Sequence, residues 1–295
     1  MNALILARLR AVKKFAKQMV YYTMNLPLPS AYFDDFSTVL DFFKSPGMKA
    51  LIEKMNEQHV RMLEDFRSSL SLLPEIGTNS GIDRGILPLN LREYVDEIYL
   101  EAMYDFVEQE AIPLYLVPRG NIALRLIRAK GRAARRQVLS SCYESIIEDC
   151  AAVLENVDQS VIGSEVKFAL DGLGAMRSGY PHSAQAMFTV TLDTLISRFY
   201  PEKSVRKNIT NHKKGAEAPD FINKMDISEL FVWLPVWNAH EEFWKHKGDE
   251  IPYYYSRHAS VHSVSSRQFN KRNCVQVLML VTSLIGYAEQ VMVGD

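Results

Sequence analysis

Near the C-terminus the chain reads Arg257-His258-Ala259-Ser260-Val261-His262, an arginine and two histidines within one short segment. Imidazole titrates near pH 6.5 (about neutral), so it can take a proton from a ribose 2′-hydroxyl or give one to a leaving oxygen. A guanidinium stays charged, and its planar fork can hold a phosphate and stabilise a phosphorane-like transition state. Together these groups can cleave RNA without a metal. Spacing restricts how they do so. Five positions along a continuous helix rotate roughly 500°, which leaves Arg257 and His262 about 140° apart. Convergence needs the arginine at a helix entrance, or a second copy of the site across a dimer.

The pattern recurs in this chain, as short patterns do. Arg177 to His182 crosses Gly179 and Pro181 and so bends round a turn, while Arg206 to His212 lies in a lysine-rich stretch with no apolar anchor. Only Arg257 to His262 leads into a strongly apolar segment, Phe269 to Val293, that can hold it in place. The competing reading is structural: Arg and His near a helix start also cap it or pair with carboxylates.

The elements that must position these residues are helical. Met48, Leu51, Met55, Met62, Phe66, Leu70 and Leu73 step at helical spacing, and Pro74 ends the run. After a polar connector, Asn90 and Glu93 have capping-box spacing ahead of Leu91, Val95, Ile98, Ala102 and Phe106. Ile112 to Pro118 is the one extended segment, and its two prolines argue against a central strand. Val138, Cys142, Ile146, Cys150 and Val153 mark the next helix, and a polar stretch follows at 155–160. It divides the expected architecture into a helical N-terminal region, 1–157, for recognition or regulation, and a C-terminal domain, 158–295. The latter holds Ser164 to Met176, a turn, and a helix from Pro181 with Ala184, Phe188, Thr191, Leu195 and Phe199 on one face. An exposed polar stretch at 203–220 and an aromatic segment broken by Pro235 lead to the last helix. The expectation is an all-α multi-helix bundle. Gly172 and Gly174 fall inside a helix with no strand before them, so no glycine-rich phosphate loop is present.

This ending resembles the HEPN superfamily (higher eukaryotes and prokaryotes nucleotide-binding), helical bundles with an Arg-x(4 to 6)-His motif near the last helix. Arg257 to His262 followed by Phe269, Asn273 and Val277-Leu-Met-Leu-Val281 carries the likeness, together with the helix pair Ser164 to Met176 and Ala184 to Phe199. It spans about 160–293 and excludes the N-terminal half. The resemblance implies a metal-independent endoribonuclease acting as a homodimer, often a toxin or an effector of defence against phage. It would place Arg257 on the scissile phosphate, His262 as general acid or base, and His258 as an assisting group. The products would be a 2′,3′-cyclic phosphate and a 5′-hydroxyl. Some members have lost activity, so a non-catalytic module that dimerises and senses a phage or host protein is the alternative.

Other constellations compete for a role. His240, His246, His258 and His262 lie near Glu241, Glu242, Asp249 and Glu250, and the i, i+4 pair His258/His262 could share a metal, but the intervening Ala-Ser-Val lacks a zinc-protease glutamate and a third ligand is unassigned. No metal and no nucleotide cofactor is expected. Residues 119–136 hold seven basic residues and no acidic one, with Arg125, Arg128, Arg132 and Arg135 stepping by three and four. On one helix they would draw a positive stripe suited to an RNA backbone, against the alternative of a solvated, salt-bridged face. Among Tyr253, Tyr254 and Tyr255, Tyr255 is the candidate for stacking an RNA base, and packing is the competing role. Cys142, Cys150 and Cys274 read as buried small hydrophobes of a reducing compartment. The net charge of -1 announces no partner globally. An inverted signal-peptide order at the N-terminus and a short apolar stretch from Cys274 to Ala288 predict a cytoplasmic protein off the membrane.

Overall fold

The computed structural model describes residues 84, 87–98, 100–158 and 162–293. The periodic run Met48 to Leu73 and the basic N-terminus lie outside them. The chain divides into compact units Met1–Gly81 and Ile82–Asp295, and every described residue belongs to the second.

That unit is helical, with no strand among its described residues. A 3-10 turn, Leu89–Tyr94, precedes α1 (Leu100–Gln109), α2 (Gly120–Arg128), α3 (Gly131–Ser141) and α4 (Tyr143–Asn156). Then come α5 (Ser164–Arg177), α6 (Pro181–Phe199), α7 (Lys203–Thr210), α8 (Asp220–Asn223), α9 (Ile227–Ala239), α10 (Arg257–His262) and α11 (Lys271–Val293).

The core is organised on α11. From Cys274 to Ile285 it is buried on every side, as a helix apolar all round must be. It packs against α6 and α4, and also against α3, α5 and α9. Since α4 lies before residue 157, helices from both sides of the polar stretch at 155–160 share this core. The helix outruns the apolar stretch seen in the sequence. Over Lys271–Val291 it has the length and mean hydropathy (1.4) of a membrane span, but 78% of it is buried against other helices. All three cysteines are buried and free.

Polar groups inside this core are bound. Gln276 donates to the Ala111 carbonyl at 2.7 Å, and Ser283 donates to that of Tyr115 at 2.9 Å. Both hold the extended segment that follows Ala111, which has no strand partner for its carbonyls. Asn90 does the same. Its amide donates to Leu114 and Pro118 carbonyls (3.2 and 2.7 Å), so the capping box expected with Glu93 is replaced by the 3-10 turn.

The α5–α6 pair matches its sequence pattern, with Pro181 in the first turn of α6 and Gly179 at φ 85 between the helices. Gly172 makes their close approach possible, because a Cβ there would sit 2.5 Å from the buried Phe188 ring. Pro235 lies inside α9, whose N-terminus is closed by a capping box of Asp226 and Glu229.

Candidate active site

Helix α10 is only six residues long and cannot hold itself together. Ser256 caps it, accepting from the Ala259 amide at 3.2 Å. Gln268, 0% exposed, pins it from below. The Gln268 side-chain oxygen accepts from the Ser256 amide (3.0 Å) and the Ser260 hydroxyl (3.1 Å), while its nitrogen donates to Pro252 and Tyr254 carbonyls (3.3 and 3.1 Å). Gln185 on α6 donates to Ser260 and to the Gln268 carbonyl, which Asn273 of α11 also reaches at 2.7 Å. A buried amide cluster therefore fixes the short helix to both core helices.

On this platform Arg257 turns toward α6. Its Nε lies 3.0 Å from both carboxylate oxygens of Asp193, and Nη2 closes the fork on Oδ2. On the other side of the carboxylate is His240, with Nε2 3.7 Å from Asp193 Oδ1. Burial pushes the Asp193 carboxyl up, but His240 and Arg257 together outweigh it and hold the group below its ordinary value. Asp193, Arg206, Thr210, His240, Arg257 and His258 line a cavity of about 260 Å³. His262 lies elsewhere. It is exposed and lines a second cavity of about 470 Å³ with Phe243, Trp244, Lys245 and His246. Within one chain Arg257 and His262 thus face different cavities, as a continuous helix requires. His258 links them, its ring edge-on to that of His262 at a centroid distance of 6.4 Å.

His258 is half-buried, and burial, reinforced by His240, Arg257 and His262, lowers its pKa to about 4. It is neutral at pH 7. In the unfolded chain it titrates near pH 6.5 (about), so the unfolded state binds its proton more readily. The stability carried by neutral His258 is complete above that value and is lost as pH falls toward about 4. Urea unfolding of the wild type should therefore show a larger loss between pH 7 and pH 5 than His258→Gln. Equal losses would refute the assignment.

The basic run is not one stripe. Helix α2 ends at Arg128, Ala129 is extended at φ -69 and ψ 126, and α3 starts afresh at Gly131. Arg125 donates to Cys142 Sγ and Ser141 Oγ (2.9 and 3.1 Å), and Arg128 pairs with Glu97 at 3.2 Å. Arg132 lies over the Tyr254 ring and 3.6 Å from Glu110, a buried carboxylate to which Arg135 also binds at 2.6 Å. Arg125, Arg128 and Arg132 remain exposed. Arg135, with 12% of its side chain exposed, serves Glu110 and corrects the picture of a four-arginine solvent face.

Tyr255 is also corrected. It is 0% exposed, and its hydroxyl meets Thr189 at 3.2 Å, so no base can stack on it. The exposed ring of the three is Tyr253, which carries the Arg267 guanidinium 3.6 Å above it.

Asp193 carries no signal in the sequence and Arg206 sits in a lysine-rich stretch without an apolar anchor, yet both meet Arg257 in one cavity. His240 was seen only as part of a histidine cluster. Among the described residues no group of three or more His, Cys, Asp or Glu is placed to hold a metal ion. Compared with known proteins, the chain is matched by no family model, no curated protein and no solved structure.

Proposed function

We propose that this chain is a metal-independent endoribonuclease of the HEPN type, a homodimer working in the cytoplasm as a toxin or an anti-phage effector. The observation that carries this reading is the placement of Arg257, His258 and His262 on one short helix, which buried amides lock in place. Arg257 would hold the scissile phosphate with its fork and offset the charge that builds in the transition state. His262, exposed at its cavity, would transfer the proton at the 2′-hydroxyl or at the leaving 5′-oxygen. Neutral His258 would accept a hydrogen bond and orient the ribose. Because Arg257 and His262 face different cavities, the complete site would combine Arg257 of one copy with His262 of another.

A different reading also has an observation behind it. Two nitrogens of Arg257 are already committed to Asp193, as expected of a non-catalytic dimerisation or sensor module that retains the motif for packing. Ends analysis separates the two. RNA incubated with the purified chain in EDTA should yield 2′,3′-cyclic phosphate and 5′-hydroxyl termini. Intact RNA would favour the sensor, and cleavage abolished by EDTA would sink the metal-independent chemistry.

A further inference from the structure

We propose that the cavity bordered by α6, α7 and α10 is a receptor for a phosphate-type anion, with Arg206 as its second guanidinium. Asp193 would be an internal carboxylate that fills the receptor until such an anion displaces it. The proposal relies on the ribonuclease reading only for the anion's source, an RNA backbone phosphate.

A carboxylate on an arginine fork has the geometry of a phosphate on the same fork. Asp193 takes Nε and Nη2 of Arg257 in that manner, and Nη1 has no hydrogen-bond partner among the described residues. Arg206 reaches the same cavity from α7, its Nη1 tied to the carbonyls of Tyr200 and Pro201 at 2.8 and 3.1 Å. Two guanidinium groups and one carboxylate leave a positive balance, the condition for taking up an anion.

The second observation is His240. It is 2% exposed, and Nδ1 lies 2.7 Å from the Val236 carbonyl, which can only accept, so Nδ1 carries the hydrogen. Nε2 lines the cavity, buried and without a hydrogen bond, 3.7 Å from Asp193 Oδ1. Buried polar atoms without partners are rare and call for a cause. An ion pair serving only to pack α10 on α6 supplies none. A displaced carboxylate does. When the anion takes Arg257, Asp193 moves toward Nε2, the buried polar atom left without a hydrogen bond.

Calorimetric titration of the full chain with sulfate tests the receptor. Asp193→Asn should bind sulfate about tenfold more tightly than wild type, and Arg206→Gln about tenfold more weakly. Equal affinity in wild type and Arg206→Gln overturns the proposal even where Asp193→Asn folds poorly, and so does a chain that binds no sulfate. A single-stranded oligonucleotide that competes with sulfate better than a nucleoside 3′-monophosphate supports the backbone source; equal competition overturns it. Sulfate binding that follows the variants in a protein cutting no RNA sinks the ribonuclease reading and spares the receptor. Cleavage with affinities unmoved by the variants does the reverse.

Discussion

His262→Ala should lower the single-turnover rate of RNA cleavage by about 10²–10⁴-fold, the range for loss of a proton-transfer group, while barely moving the unfolding midpoint. The side chain is exposed, with the His258 ring edge-on to it. Substitutions at such surface positions stay within about 0.5 kcal/mol. Activity and stability are therefore separable here. They are not at Arg257, whose removal leaves Asp193 facing only His240 across 3.7 Å. Arg257→Ala should lose cleavage and stability together, and Asp193→Asn in the same chain should restore stability without restoring cleavage. Mixing Arg257→Ala with His262→Ala subunits then reports how the site is assembled. A site built across two copies regains one complete Arg257–His262 pair in the mixed dimer and recovers activity, whereas a site within one chain recovers none. An unchanged rate in His262→Ala would remove the catalytic assignment altogether.

Much of the scaffold was legible in the sequence because it follows local rules. The α5–α6 pair announces itself by helical spacing, Gly179 and Pro181, and α11 by an apolar surface too wide for one face. Asp193 had no such signal. It is a single polar residue on α6, 64 positions from Arg257, and only tertiary packing makes it the arginine's partner. Arg206 was dismissed on the same ground, its lysine-rich setting, although α7 carries it back over the site. The tyrosine triplet shows the limit most clearly. Three consecutive rings must point in different directions, and which one is buried depends on Gln276 holding the Tyr255 amide at 3.3 Å, a contact 21 positions away. The basic run misled for a local reason. Three- and four-residue steps imply a stripe only on an unbroken helix, and Ala129 interrupts this one. Whether Arg257 works as a phosphate fork or as a packing cation was never a sequence question, because the answer lies in what else competes for it.

Gln268→Leu should produce the largest loss of stability of any substitution near the site. Leucine fills a similar volume but satisfies none of the four groups the amide serves: the Ser256 amide, the Ser260 hydroxyl, and the Pro252 and Tyr254 carbonyls. Ser256 is buried, so water does not replace the lost bond at its amide. Each orphaned buried group costs about 1–3 kcal/mol. Gln185 still donates to the Ser260 oxygen at 3.3 Å, so that hydroxyl keeps one partner although its own hydrogen loses its acceptor. The buried Ser256 amide and Ser260 hydroxyl, together with the part-buried Pro252 and Tyr254 carbonyls, imply a loss of about 3 kcal/mol, or roughly 6–12 °C in the unfolding midpoint of a domain this size. Cleavage should fall with it, since the Gln268 amide anchors the helix that carries Arg257 and His262. Gln268→Glu sharpens the test. It keeps an oxygen for Ser256 and Ser260 but sets a buried carboxylate against two carbonyls, so it should be no more stable than the leucine variant. Hydrogen exchange at the Ala259 and Ser260 amides should accelerate in both variants before the α11 amides do. Uniform acceleration across α11 would mean that Gln268 supports the core as a whole. An unfolding midpoint within about 1 °C of wild type would mean that the cluster does not hold α10 in place.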